Sequence, residues 1–171
     1  IDVNGKPMIV RAIESLGIDG QYHFIIRRDE YTPIVIDIIS KVVSNPRFVE
    51  ITQTTDGPAR SALLFKDKIN NDDELIIANC DQIMEWNSDL FFHNVRLYDG
   101  AVVTYYSDTD KNSYVKLDNR GRAIEFKEKE VIEHFLKQDL KEAYTPFCTF
   151  RDGVTKGRRL FFKGDTLYSF G

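Results

Sequence analysis

Apolar positions alternate between helical and extended spacing along the chain, and the alternation repeats. Met8, Ile9, Ala12, Ile13 and Leu16 share one helical stripe, with Pro7 suited to the first turn and Gly17 closing the pattern. Tyr22 to Arg28 then reads as a buried strand centred on His23, Phe24, Ile25 and Ile26. After Pro33, the pairs Ile34/Val35, Ile38/Ile39 and Val42/Val43 recur every four residues. That spacing predicts a helix despite the β-branched content, stopped by Asn45-Pro46. Phe48 to Thr52 reads as a strand, and Ala59, Ala62, Leu63, Lys66 and Ile69 as a helix. Leu75 to Ala78 is an apolar run bounded by polar residues, the pattern of a central strand covered on both faces.

The second half changes character. Ala101 to Ser107, Ser113 to Leu117 and Arg122 to Lys127 read as strands, the last two joined by a turn at Asp118-Asn119-Arg120-Gly121. Phe135, Leu136, Leu140, Ala143, Tyr144 and Phe147 have helical spacing, and Arg158 to Phe162 reads as a last strand. Repeated strand–helix alternation predicts a three-layer α/β fold. Its sheet is expected to be mixed but mainly parallel, with helices on both faces and a small antiparallel addition. No linker, repeat or low-complexity tract divides residues 1–171, so one domain is expected.

Composition narrows the function classes. With 23 Lys plus Arg against 27 Asp plus Glu, the net charge of -4 gives no basic field for wrapping nucleic acid. No apolar run approaches the ~18 residues that span a bilayer, so no membrane partner is expected. Two cysteines, Cys80 and Cys148, make no disulfide framework and lack metal spacing. The absence of a signal pattern adds to the expectation of a reducing, cytoplasmic setting. Ile1 falls inside a strand-to-helix connection, which predicts that the chain in hand begins within a longer protein.

Ligands of open α/β sheets bind beyond the carboxyl ends of the strands. Two segments are expected there. In the first, a strand runs through Gln53-Thr54-Thr55-Asp56-Gly57-Pro58 into a helix, and Gly57 permits close approach of a ligand to the backbone. Locally, most Asp-Gly-Pro segments are plain turns. The second is Ala78-Asn79-Cys80-Asp81-Gln82, where Asp81 projects from the end of an apolar strand. A hard carboxylate there suits Mg²⁺ bound to substrate phosphates; an N-cap or a solvated loop aspartate is the plainer local alternative. Cys80 reads as a small buried residue rather than a nucleophile. His23 reads as a strand residue, His93 as a loop residue and His134 as one near a helix start, all without metal spacing.

Taken in order, these pieces resemble the sugar-phosphate nucleotidyltransferases, the nucleoside-diphosphate-sugar pyrophosphorylases. Ile1-Asp2-Val3-Asn4-Gly5-Lys6-Pro7-Met8-Ile9 is similar to the end of the family's N-terminal signature. Gln53 through Asp56-Gly57-Pro58-Ala59 resembles its base-recognition loop, and Leu75 to Asp81 its apolar strand ending in the metal-binding Asp. Glu125-Phe126-Lys127-Glu128-Lys129 is similar to its Glu-Lys-Pro segment, with Glu130 where Pro is usual. The resemblance covers essentially residues 1 to 130. It implies a Rossmann-like, glycosyltransferase-A-like core and a Gly-rich phosphate loop, with an Arg and a catalytic Lys, preceding Ile1. Leu167-Tyr168-Ser169-Phe170-Gly171 resembles a later stretch of the family but carries Ser169 where a second metal-binding Asp is usual, with Asp165 four residues away.

The activity implied by the resemblance is Mg²⁺-dependent nucleotidyl transfer from a nucleoside triphosphate to a sugar-1-phosphate, or to a similar phosphorylated alcohol, with release of pyrophosphate. Such a reaction feeds nucleotide-sugar and polysaccharide biosynthesis. The roles implied are metal binding and catalysis for Asp81, sugar-phosphate pairing for Lys129 or else Lys127, and nucleotide binding for Gln53, Gly57 and Pro58. Tyr105, Tyr106 and Tyr114 would line the sugar side or pack the core. The oligomeric state stays open, a homo-oligomer being one outcome. Two alternatives remain: a metal-dependent glycosyltransferase on the same core, usually marked by Asp-x-Asp where this chain has Asn79-Cys80-Asp81, and a non-catalytic nucleotide-sensing or assembly domain, which Ser169 favours.

Overall fold

The computed structural model describes residues 1–71, 73–106, 113–120, 122–127, 142–150, 159–163 and 166–170. The chain divides into two compact units, residues 1–71 with 78–98, and residues 72–77 with 99–171.

The first unit opens with a hairpin of β1 (Asp2–Val3) and β2 (Lys6–Pro7) around Asn4-Gly5. Both turn residues take positive φ, 49° at Asn4 and 77° at Gly5, as a two-residue turn matching the strand twist requires. Arg11 fastens this hairpin to α1 (Met8–Leu16), its Nη2 donating to the Asn4 carbonyl at 2.9 Å and its Nε to that of Val3 at 3.3 Å. Helix α1 buries Val10 and Ala12 and ends at Gly17, whose left-handed φ of 59° glycine adopts without steric penalty.

Strands β3 (His23–Arg27) and β4 (Arg47–Ile51) pair in parallel, from His23 opposite Arg47 to Arg27 opposite Ile51. The rings of Phe24 and Phe48 stack across the pair at 5.6 Å, and the Arg28 amide donates to the Ile51 carbonyl at 2.7 Å. The crossover is α2 (Thr32–Val42), which buries Ile39. Its first turn is set by Thr32, whose buried hydroxyl donates to the Arg27 carbonyl at 3.1 Å and accepts from the Asp29 amide at 2.8 Å.

Past β4, the helix expected over Ala59 to Ile69 is broken into α3 (Pro58–Ala62), a 3-10 turn over Leu63–Phe65 and α4 (Lys66–Ile69). The tightened turn carries Phe65 into the core. Helix α5 (Ser88–Val95) is an element the apolar pattern did not predict. Its start is fixed by Asn87, whose side-chain oxygen accepts from the Leu90 amide at 2.8 Å. His93, expected in a loop, lies in this helix.

The second unit holds β5 (Leu75–Ile77), β6 (Gly100–Tyr106), β7 (Ser113–Leu117), β8 (Ala123–Lys127) and β9 (Glu142–Phe150) in one antiparallel sheet. Two expectations are corrected by it. Among the described ladders only β3 with β4 is parallel, because β5 pairs with β9, in the opposite sense, and not with the strand before it. For the same reason β5 stands at the end of the described strand order β5-β9-β7-β8, and its three residues are half-buried rather than buried as in a doubly covered strand.

The helix expected from Phe135 to Phe147 is corrected over its last residues, since Glu142–Phe150 is a strand; Phe135, Leu136 and Leu140 lie outside the described residues. Pairing on both edges overrides the helical spacing there. The register with β6 shifts between Val102 and Thr104, and the partners of β7 and β5 stop at Tyr144 and resume at Cys148. Pro146, which has no amide to donate, falls in that interruption. Tyr114 and Val115 of β7 are 0% and 1% exposed and form the core of this unit, so Tyr114 packs the interior. Strands β10 (Arg159–Lys163) and β11 (Thr166–Phe170) form a hairpin in which Ser169 stands opposite Leu160.

Candidate functional site

The first candidate segment leaves the carboxyl end of β4 and turns into α3. A relay of hydroxyls holds it. Thr55 Oγ1 donates to the Gly57 carbonyl at 3.1 Å, and Ser61 Oγ lies 2.6 Å from Thr55 Oγ1, which is left to accept from it. The Gly57 carbonyl also accepts the Ser61 amide at 3.1 Å, the first turn of α3. Pro58 at the first helical position has the fixed φ that this turn needs. Gln53 is exposed ahead of the relay, with an amide that can both donate and accept. Asp56 and Arg60 pair at 3.6 Å on the exposed side, too open to water to fix the loop.

The second segment follows β5. Asp81 is exposed and, among the described residues, its carboxylate takes part in no hydrogen bond or ion pair. It caps no helix, because Asn87 starts α5. Its neighbour Cys80 is a free thiol on an exposed residue, held above its ordinary pKa by desolvation of the sulfur and by the charge of Asp81. A protonated thiol is a poor nucleophile, as the sequence reading expected, but the burial expected of Cys80 is corrected, since the residue is exposed.

The chain beyond Asp81 is tied to the end of α1. The Met84 amide donates to Ser15 Oγ at 3.1 Å, the Trp86 indole Nε1 to the Ser15 carbonyl at 2.9 Å, and the Ser88 hydroxyl to the Gly17 carbonyl at 3.0 Å. Both carbonyls are among those a helix end leaves without intrahelical donors. The Trp86 ring meets Phe91 at 5.2 Å and Phe92 at 6.5 Å, which backs the segment with α5.

No family model matches the sequence. No curated protein matches it. Solved structures do match. A nucleoside-diphosphate-sugar pyrophosphorylase from Vibrio cholerae superposes with a TM-score of 0.67 at 17% identity, over 90% of this chain and 64% of its own. A CMP:2-keto-3-deoxy-manno-octonic acid synthetase solved with CTP gives 0.60 at 14% identity, over 88% of this chain and 66% of its own. HddC from Yersinia pseudotuberculosis, complexed with GMP-PN, gives 0.63 at 13% identity, over 97% of this chain and 71% of its own. The chain shares the fold of these structures. It spans just under two thirds of the length of the first two of these structures.

Within this fold, the 52–57 loop and Asp81 belong to the same compact unit, and no hydrogen bond or ion pair joins them among the described residues. Lys129 lies outside the described residues, as does His134, and Lys127 is half-buried in β8. No group of three or more His, Cys, Asp or Glu gathers to hold a metal among the described residues. A cation at Asp81 would meet a hard carboxylate oxygen, with water and phosphate oxygens able to complete its ligands. That donor set fits Mg²⁺, which dehydrates reluctantly. No described helix is long and apolar enough to cross a membrane.

Thr55, Ser61, Ser15 and Trp86 were not singled out in the sequence. Thr55 and Ser61 are six apart and meet only because α3 turns back between them. The partners Ser15 and Trp86 are separated by 71 positions, a pairing no local pattern carries.

Proposed function

We propose that this chain is the core of a Mg²⁺-dependent nucleotidyltransferase. It would join a nucleoside triphosphate to a sugar-1-phosphate or a similar phosphorylated alcohol and release pyrophosphate. The reading is supported most by one observation: the fold is shared with structures whose bound ligands are nucleotides, CTP in one and GMP-PN in another. In this chain, the base-recognition resemblance falls on a loop braced by Thr55 and Ser61, and the metal resemblance falls on an exposed carboxylate.

The transfer needs in-line positioning and neutralisation of developing charge, with no covalent nucleophile from the protein. Gln53 presents donor and acceptor to a base edge, while Gly57 lets that edge approach the backbone. Asp81 would hold Mg²⁺, which would supply Lewis-acid charge to the phosphates. Lys129 pairs with the phosphate of the acceptor as a point charge. The full-length protein, screened for pyrophosphate release with the common nucleoside triphosphates crossed with sugar-1-phosphates and phosphocholine, tests this. Release that requires one triphosphate and one acceptor supports it. Product formed only from a nucleoside-diphosphate sugar donor would instead identify a glycosyltransferase, and nucleotide binding without product a non-catalytic domain, the reading Ser169 favours.

A further inference from the structure

From Gln82 to Asn87 the chain belongs to no helix or strand, so no backbone ladder fixes it. It is held by side chains. Three donors within five residues, at Met84, Trp86 and Ser88, meet acceptors on Ser15 and Gly17 at the end of α1. Ser15 serves twice: its hydroxyl donates to the Ala12 carbonyl at 2.9 Å while accepting from Met84, and its own carbonyl accepts from Trp86. Asp81 and Met84 are three residues apart, so the chain between them reaches at most about 10 Å. The first anchor therefore limits where the Asp81 carboxylate can stand.

We infer that Ser15 and Trp86 are positioning residues that hold the Asp81 segment in place for its metal. Neither touches the reacting groups. They act by connecting that segment to α1, whose opposite end Arg11 ties to the N-terminal hairpin. The inference rests on the proposed role of Asp81. Groups that orient a metal ligand change metal affinity when removed, and a packing residue changes only melting.

The test uses the full-length protein, with Ser15→Ala removing the acceptor for Met84 and Trp86→Phe removing the indole donor while keeping an aromatic ring. Two quantities are read beside the melting temperature: Mn²⁺ binding in the presence of a nucleoside triphosphate, and the alkylation rate of Cys80, resolved from Cys148 by peptide mass spectrometry. Both variants should weaken Mn²⁺ binding about tenfold. Each should also accelerate Cys80 labelling several-fold, through local opening of its segment. A fall in melting temperature with unchanged Mn²⁺ binding and unchanged labelling would overturn the inference. Asp81→Asn is the control for the underlying reading. If it leaves Mn²⁺ binding intact, the metal role of Asp81 fails, and the anchor is then decided by Cys80 labelling alone: faster labelling supports it and an unchanged rate rejects it.

Discussion

The ring of His23 meets that of Phe65 edge-on, with centroids 4.7 Å apart, joining β3 to the 3-10 turn that follows the candidate loop. His23 Nδ1 is buried without a hydrogen-bond partner among the described residues. Burial, and then the charges of Arg47 and Lys68, lower the pKa of this histidine below its ordinary 6.5. The unfolded chain therefore binds a proton that the folded chain resists. Stability from this group is complete above pH 6.5 and declines as pH falls from there through the folded-state pKa. Melting temperature should drop as pH is lowered from neutrality, and His23→Phe, which keeps the ring contact, should flatten that part of the profile. An unchanged slope in the variant would show that other groups carry it.

Thr55→Val removes the hydroxyl that links Ser61 to the Gly57 carbonyl while keeping the side-chain shape. Denaturant unfolding should show a loss of about 1 kcal/mol, typical of one intramolecular hydrogen bond. Ser61→Ala leaves the Thr55 bond to Gly57 in place and should cost less.

Gly57→Val places a branched side chain beside the carbonyl that receives both Thr55 and Ser61. The proposed base site loses its close backbone approach, so nucleoside triphosphate affinity, measured calorimetrically, should fall while the fold persists. Equal affinity in variant and parent would remove this loop from the nucleotide site.

Asp81→Asn keeps the shape of an exposed side chain and removes its charge. Turnover of the full-length protein should fall on the order of 10²-fold, equivalent to about 2.7 kcal/mol of transition-state stabilisation. The melting temperature should hardly move, because the carboxylate makes no hydrogen bond or ion pair among the described residues. Full turnover in the variant would exclude Asp81 from catalysis.

Elements whose apolar spacing is local were legible before the structure. Helix α1 with its glycine cap, β3, α2 and the β7–β8 hairpin fall within a few residues of their expected bounds. What the sequence did not reveal depends on partners far away along the chain. The direction of β5 is decided by β9, and β9 itself is a strand because β5, β6 and β7 pair with it. Helix α5 escaped notice because its start rests on the Asn87 side chain more than on an apolar stripe. At the candidate site the two loops could be read from glycine and aspartate positions at strand ends. The hydroxyl relay and the α1 anchor needed folding to bring Thr55 to Ser61 and Ser15 to Trp86.

Trp86 is the single tryptophan of the chain. Its emission therefore comes from one place: a half-buried indole that donates to Ser15 and lies against Phe91. The unit formed by residues 72–77 and 99–171 contributes no tryptophan signal. Fluorescence will follow the melting of one unit, while far-ultraviolet dichroism follows the backbone of both. The gap between the two transition curves thus measures whether the units unfold together, a two-state test already present in the native sequence.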